Sequence, residues 1–135
     1  MVTVSGQLTA IATNADVVLA RSAVRAAAQE CRLSLVDQTK LVTAASELAR
    51  NTLIYGGGGT MRLDTVENGL RRGVRVVFED RGPGIPDLDL ALTDGWTSGT
   101  GLGLGLSGSR RLVDEFDLDT EVGRGTTVSI TKWAR

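Results

Sequence analysis

The chain has 135 residues, 41% of them hydrophobic and 23% charged, with a net charge of −1 and an isoelectric point near 5.4. That length predicts one domain over residues 1–135, and the charge leaves no basic footprint for nucleic acid or an anionic membrane. One cysteine, Cys31, excludes an intrachain disulfide and a thiolate metal cluster, and the absence of histidine excludes a Ser-His-Asp triad, a histidine zinc site or a phosphohistidine within the chain.

Thr3–Ile11 reads as a strand interrupted at Gly6. Asn14 is placed to cap a helix over Asp16–Arg32, in which Val17, Val18, Ala20, Val24, Ala27 and Ala28 recur near helical spacing and Cys31 is a small buried apolar residue. A second helix, Val36–Leu53, carries Leu41, Val42, Ala45, Leu48 and Ala49 as its core stripe and ends at Tyr55 and the run Gly56–Gly59. Met61–Val66 and Arg75–Glu79 are strands joined by a turn at Asn68-Gly69. Pro83, Gly84 and Pro86 break the chain, Asp87–Thr93 forms a short helix, and Gly95–Gly108 is rich in glycine. A third helix over Ser107–Phe116 precedes a hairpin of Leu118–Val122 and Thr126–Trp133 around Gly123-Arg-Gly125. The expected fold is α/β: a two-layer sandwich of a mixed, mostly antiparallel sheet with helices on one face. No apolar run reaches the length of a membrane span, and no basic-then-apolar leader opens the chain, so no membrane contact and a cytoplasmic location are expected.

Four short motifs carry chemistry. Glu47 and Asn51, four residues apart on a helix, share a face away from the Leu41/Ala45/Leu48 stripe. A carboxylate there can accept a proton or position an attacking hydroxyl. The Asn51 amide oxygen can ligate magnesium when nucleotide phosphates and water complete the octahedron. Taken alone, such a pair is more simply a solvated polar face. Asp80 ends an apolar strand and opens Gly82-x-Gly84, where the plain account is a turn cap. Gly99, Gly101, Gly103, Gly105 and Gly108 precede a helix, so their backbone amides can form an anion nest with the helix N-terminus behind it; the plain account is a surface loop. Gly123-Arg-Gly-Thr126 by itself is a tight hairpin.

Other glycine motifs fit less well. Gly103-x-Gly105-x-x-Gly108 matches the dinucleotide fingerprint, but the Asp94–Thr100 segment before it is not an apolar strand. A protein-kinase glycine loop would require a strand lysine and a His-Arg-Asp loop, and the Walker ending Gly-Lys-Ser/Thr is missing.

In their order, Glu47–Asn51, Asp80–Ile85, Gly101–Gly105 and Gly123–Thr126 resemble the boxes of the Bergerat-fold (GHKL) ATP-binding family, shared by gyrase-type ATPases, Hsp90, histidine kinases and MutL. The resemblance implies ATP and Mg²⁺ as cofactors. It implies that Asp80 accepts a hydrogen bond from the exocyclic amine of adenine, that Gly82 and Gly84 admit the base, and that Ile85 walls it. Gly101, Leu102, Gly103, Leu104 and Gly105 would then form the phosphate lid, and Thr126 a second base-side contact.

From about Asp16 to Arg135 the likeness is more specific. Asp37-Gln38, Arg111-Leu-x-Asp-Glu-Phe116 and Lys132-Trp-x-Arg135 are similar to the RsbT-type serine-protein kinases of the bacterial stressosome pathway. This implies Mg-ATP-dependent phosphorylation of a serine on a STAS-domain antagonist held by stressosome scaffold proteins, with Glu47 catalytic and Asn51 on the metal. Release would be followed by activation of a PP2C-type phosphatase. Anti-sigma relatives of the RsbW and SpoIIAB type share the boxes but not the Asp-Glu-Phe and Lys-Trp segments. Some place a basic residue before the lid glycines, where this chain has Gly99 and Thr100. A cation for the γ-phosphate would then come from Arg110, Arg111 or the substrate protein, and both arginines otherwise read as lid-helix surface. Two further readings stay open: an ATP-dependent anti-sigma factor or binding module, and a detached histidine-kinase ATPase domain acting on another chain. The length falls short of the transducer domain of gyrase- and MutL-type ATPases.

Overall fold

Thr13 and Asp16 decide where the first helix begins. The Thr13 hydroxyl accepts from the Asp16 N–H at 3.2 Å, and Asp16 Oδ2 accepts from the Thr13 N–H at 3.0 Å. This reciprocal capping box makes Thr13 the N-cap and Asn14 the first helical residue. The expected cap at Asn14 is thereby corrected: its third residue onward is Val17, which has no side-chain oxygen to return the bond. Helix α1 (Asn14–Glu30) stops short of Arg32, which takes a left-handed φ of 62°. Val17, Ala20, Val24, Ala27 and Ala28 are buried as expected, whereas Val18 faces outward, 57% exposed.

The computed structural model describes residues 1–85, 92 and 105–135. Among these, β1 (Val2–Ile11) and α1 are followed by α2 (Leu35–Ile54), β2 (Gly59–Asn68), β3 (Arg71–Asp80), α3 (Leu106–Leu112), β4 (Glu115–Glu121) and β5 (Gly125–Trp133). The Ser34 hydroxyl caps α2 by accepting from the Asp37 N–H at 3.1 Å. The five strands lie in the order β1-β2-β3-β5-β4, and every pairing is antiparallel. The two-layer α/β sandwich is as expected, with no parallel pair among the described strands.

Strand alternation sends Met61, Leu63, Val74, Val76, Phe78, Val128 and Ile130 to the helix side, where the α2 stripe of Leu41, Val42, Ala45, Leu48 and Ala49 packs. Cys31 is buried at the end of α1, and burial pushes its thiol up from the ordinary range. The third helix is shorter than Ser107–Phe116. Val113 is already extended, the Asp114 N–H donates to Thr131 O at 3.0 Å, and Glu115 and Phe116 pair with Thr131 and Ile130. Ladder bonds and the burial of Phe116 toward the core outweigh local helix propensity there. The helix expected at Asp87–Thr93 lies outside the described residues apart from Leu92. No described helix is long and apolar enough to cross a membrane.

Candidate functional site

The last turns of α2 and the C-terminal end of β3 finish at the same end of the molecule. There Leu48, Asn51, Thr52, Tyr55, Phe78, Asp80, Ile85, Leu106, Thr126 and Val128 line one pocket. Its walls are mostly apolar, with a few convergent polar groups, the usual makeup of a small-molecule site. Asp80 pairs in register with Thr126 across β3 and β5, which sets the carboxylate and hydroxyl on the same face. Asp80 Oδ1 accepts from the Gly82 N–H at 2.8 Å. Burial pushes the Asp80 carboxyl above its usual range, partly offset by the backbone N–H groups of Gly82 and Thr126.

The turn after Asp80 is tied to the neighbouring hairpin. Gly84 has a φ of 77°, and a Cβ there would lie 2.4 Å from Glu121 O, so only glycine fits. The Tyr55 hydroxyl donates to Gly84 O at 3.2 Å. The Ile85 N–H donates to Thr120 Oγ1 at 2.9 Å, and the Thr120 and Thr126 hydroxyls are 2.9 Å apart.

Thr120 thus joins the Ile85 wall to Thr126. No sequence motif marks Thr120, although a hairpin around Gly123-Arg-Gly125 places it opposite Thr126. Tyr55 likewise carries no motif beyond its place at a helix end. Replacing Thr120 by valine leaves the Ile85 N–H without its acceptor, so stability is expected to fall by about 1–3 kcal/mol in urea unfolding, with Thr120→Ser close to wild type. Equal stability of the valine variant would show that this hydroxyl bridge contributes nothing.

Glu47 lies one helical turn before Asn51, half-buried, against the start of α3. Gly105 caps that helix with a φ of 63°, and a Cβ there would stand 2.9 Å from Glu47 Oε2. The Glu47 carboxylate therefore sits where the glycine-rich segment ends. The structure gathers Glu47, Asn51, Asp80, Gly82, Gly84, Ile85, Gly105 and Thr126 around one end of the sheet. Gly101, Leu102, Gly103 and Leu104 lie outside the described residues. Arg110 and Arg111 are exposed in the last turn of α3.

Residues 36–134 match the family described as histidine kinase-, DNA gyrase B- and HSP90-like ATPase. The chain belongs to that ATPase family. Within it, serine/threonine-protein kinase RsbT of Bacillus subtilis (strain 168) is 42% identical over 125 residues, covering 93% of this chain and 94% of that protein. The anti-sigma F factor of Geobacillus kaustophilus (strain HTA426) is 29% identical over 121 residues, covering 84% of this chain and 81% of that protein. Two solved structures share the ATPase fold. The RsbU and RsbW domains of a Mycobacterium tuberculosis protein superpose with a TM-score of 0.60 at 20% identity, covering 98% of this chain and 33% of that one. The catalytic domain of histidine kinase ThkA gives 0.54 at 16% identity, covering 93% and 95%.

Proposed function

We infer that this protein is a Mg-ATP-dependent serine-protein kinase of the RsbT type, working in a bacterial stress-signalling partner switch in the cytoplasm. The observation that carries this is the 42% identity to the Bacillus subtilis kinase across 93% of the chain. Asp80 accepts from the exocyclic amine of adenine and so favours adenine over guanine. Gly82, Gly84, Ile85 and Thr126 surround the base, and the amides of Gly101–Gly105 receive the phosphates.

A magnesium ion fits the donor set. Among the described residues no group of three or more His, Cys, Asp or Glu gathers into an all-protein cage. Nucleotide-bound magnesium needs only one or two protein ligands, a part that Asn51 suits. Bound there, the ion would neutralise phosphate charge. Glu47 orients the attacking serine hydroxyl and accepts its proton. Phosphoryl transfer asks for little beyond such positioning and charge neutralisation.

The substrate is a serine on a STAS-domain antagonist carried by the stressosome scaffold, and the released kinase activates a PP2C-type phosphatase. The anti-sigma alternative rests on the 29% identity to an anti-sigma F factor. Incubation with ATP and candidate STAS proteins, followed by phosphosite mapping, decides between them. Phosphoserine on the partner supports the kinase, tight ATP-dependent binding without transfer supports the anti-sigma reading, and acid-labile label on histidine supports a detached histidine-kinase domain.

Asp80→Asn gives an independent check on the base contact. Asparagine keeps an acceptor for the Gly82 N–H but turns a donor toward the adenine amine, so ATP affinity is expected to fall and the preference over GTP to vanish. The same change should raise the melting temperature. A carboxyl whose folded value is raised destabilises the fold as pH climbs through the unfolded and then the folded value, and at neutral pH that cost is fully present. Nucleotide titration and calorimetry at pH 7 read both effects; unchanged ATP-over-GTP selectivity would remove Asp80 from the base site.

A further inference from the structure

At the end of the sheet remote from the pocket, the C-terminus of α1, the β2–β3 turn and the end of β5 enclose a groove. Four arginines line it, Arg32, Arg71, Arg72 and Arg135, and no carboxylate side chain does. The whole chain carries a charge of −1, so this is a local concentration of positive charge. Arg71 and Asp80 stand at opposite ends of the ten-residue strand β3, about 30 Å apart along an extended strand. The groove is therefore separate from the nucleotide pocket.

Two of its arginines, Arg32 and Arg71, retain unused binding capacity, while Arg72 and Arg135 already face acids of this chain. Among the described residues neither Arg32 nor Arg71 has a carboxylate partner. The Arg71 guanidinium lies 5.1 Å from the Trp133 ring centroid, a contact that orients its planar fork. Arg72 is ion-paired with Glu67, its buried Nε 3.6 Å from Glu67 Oε1 without a hydrogen bond. Arg135 is shared with Asp37 and Asp114. Arg32 takes its place with a left-handed backbone, the only non-glycine residue to do so among those described. At the tip of the turn, beside Arg71, the side chain of Leu70 is wholly exposed.

We propose that this groove is a docking surface for an acidic segment of a partner protein, its carboxylates paired with the arginines and an apolar side chain set against Leu70. Guanidinium forks match carboxylates two bonds at a time, and the exposed leucine adds a contact that a free inorganic anion could not use. A partner held there leaves the nucleotide site open, so both can be occupied together. Docking is independent of the kinase chemistry, since it is read without nucleotide.

The test is titration of the full chain, ¹⁵N-labelled, with a short capped peptide alternating glutamate and leucine. The expected result is saturable binding that weakens with added salt, with amide shifts confined to Cys31, Arg32, Gly69–Arg72 and Ala134–Arg135. Arg71→Gln/Arg72→Gln should weaken binding about tenfold or more, the worth of one charge-assisted bond. Leu70→Ser, at a wholly exposed position, should weaken it several-fold with no change in melting temperature, which separates lost contact from lost fold. Arg21→Gln/Lys40→Gln, on exposed positions outside the groove, should leave affinity unchanged. No binding, equal binding of a lysine–leucine peptide, or shifts centred elsewhere would overturn the proposal. So would full competition by inorganic phosphate, or preferential binding to phosphatidylserine vesicles.

Discussion

Glu47→Ala is expected to slow phosphate transfer to the partner's serine about 10²–10⁴-fold, the usual worth of a positioned general base. ATP affinity should stay near wild type. Glu47 is not among the residues that line the pocket; its carboxylate lies beside Gly105 at the start of α3. Glu47→Gln separates proton transfer from shape, since it keeps the side chain's length but cannot take the proton. Both variants should therefore be slow, and both should still bind the partner protein. Single-turnover transfer measured beside nucleotide titration checks this. A wild-type transfer rate in either variant would make Glu47 a helix-surface residue.

The second large effect is expected far from the pocket. Lys132 is 4% exposed and its ammonium lies 3.6 Å from Asp37 Oδ1 and 3.5 Å from Asp114 Oδ1. Arg135 joins the same two acids, 2.6 Å from Asp114 Oδ1 and 3.7 Å from Asp37 Oδ2. This cluster ties the first turn of α2 and the α3–β4 corner to the end of β5. Lys132→Ala would leave two shielded carboxylates with the exposed Arg135 as their remaining counter-charge, a loss expected to cost about 3–5 kcal/mol.

The pH dependence has a definite sign. Burial alone would raise the Asp114 carboxyl, but the Trp133 N–H bond and the charges of Lys132 and Arg135 outweigh it and hold the group below its ordinary range. A depressed carboxyl contributes stability that is present above the unfolded value of about 3.9 and lost as pH falls through the folded value. The gap between wild type and Lys132→Ala should therefore narrow below about pH 4. Urea unfolding from pH 3 to 7 measures it, and a constant gap would mean that the cluster's charges contribute nothing.

That cluster also marks where sequence patterns stop being legible. Asp37, the Asp-Glu-Phe segment and the terminal Lys-Trp were each visible as motifs of a resemblance. Nothing local said that Asp37, Asp114, Lys132 and Arg135 meet, because ion pairing across such separations is set by topology alone. The strands and the α2 stripe were readable because burial on one face imposes periods of two and 3.6 residues. The end of α3 differs from expectation for the converse reason: Arg111 to Phe116 looks helical by itself, and only pairing with β5 makes Glu115 and Phe116 a strand. Asn14 and Thr13 are both capping residue types, and the Asp16 side chain that returns to the Thr13 N–H selects Thr13. Around the pocket, Asn51, Asp80 and Thr126 were linked in the sequence only by the family resemblance, and the structure sets these three along one pocket wall. Thr120 carried no motif and emerges only from its hydrogen bonds.

The two margins of the sheet are guarded differently. On β4 the residues Glu115, Asp117, Asp119 and Glu121, every second residue of the strand, place an acid at each position of one face. Two copies meeting along β4 would bring like charges into cross-strand register, which disfavours edge-to-edge polymerisation. On β1 the protection is geometric. The register shift between Thr3 and Ser5 distorts the ladder near Val2 and Val4, both exposed. Beyond that bulge the β1 edge is regular and carries the exposed Leu8. A mutation that straightens the bulge would thus do more to provoke fibrous aggregation than one that neutralises a single acid on β4.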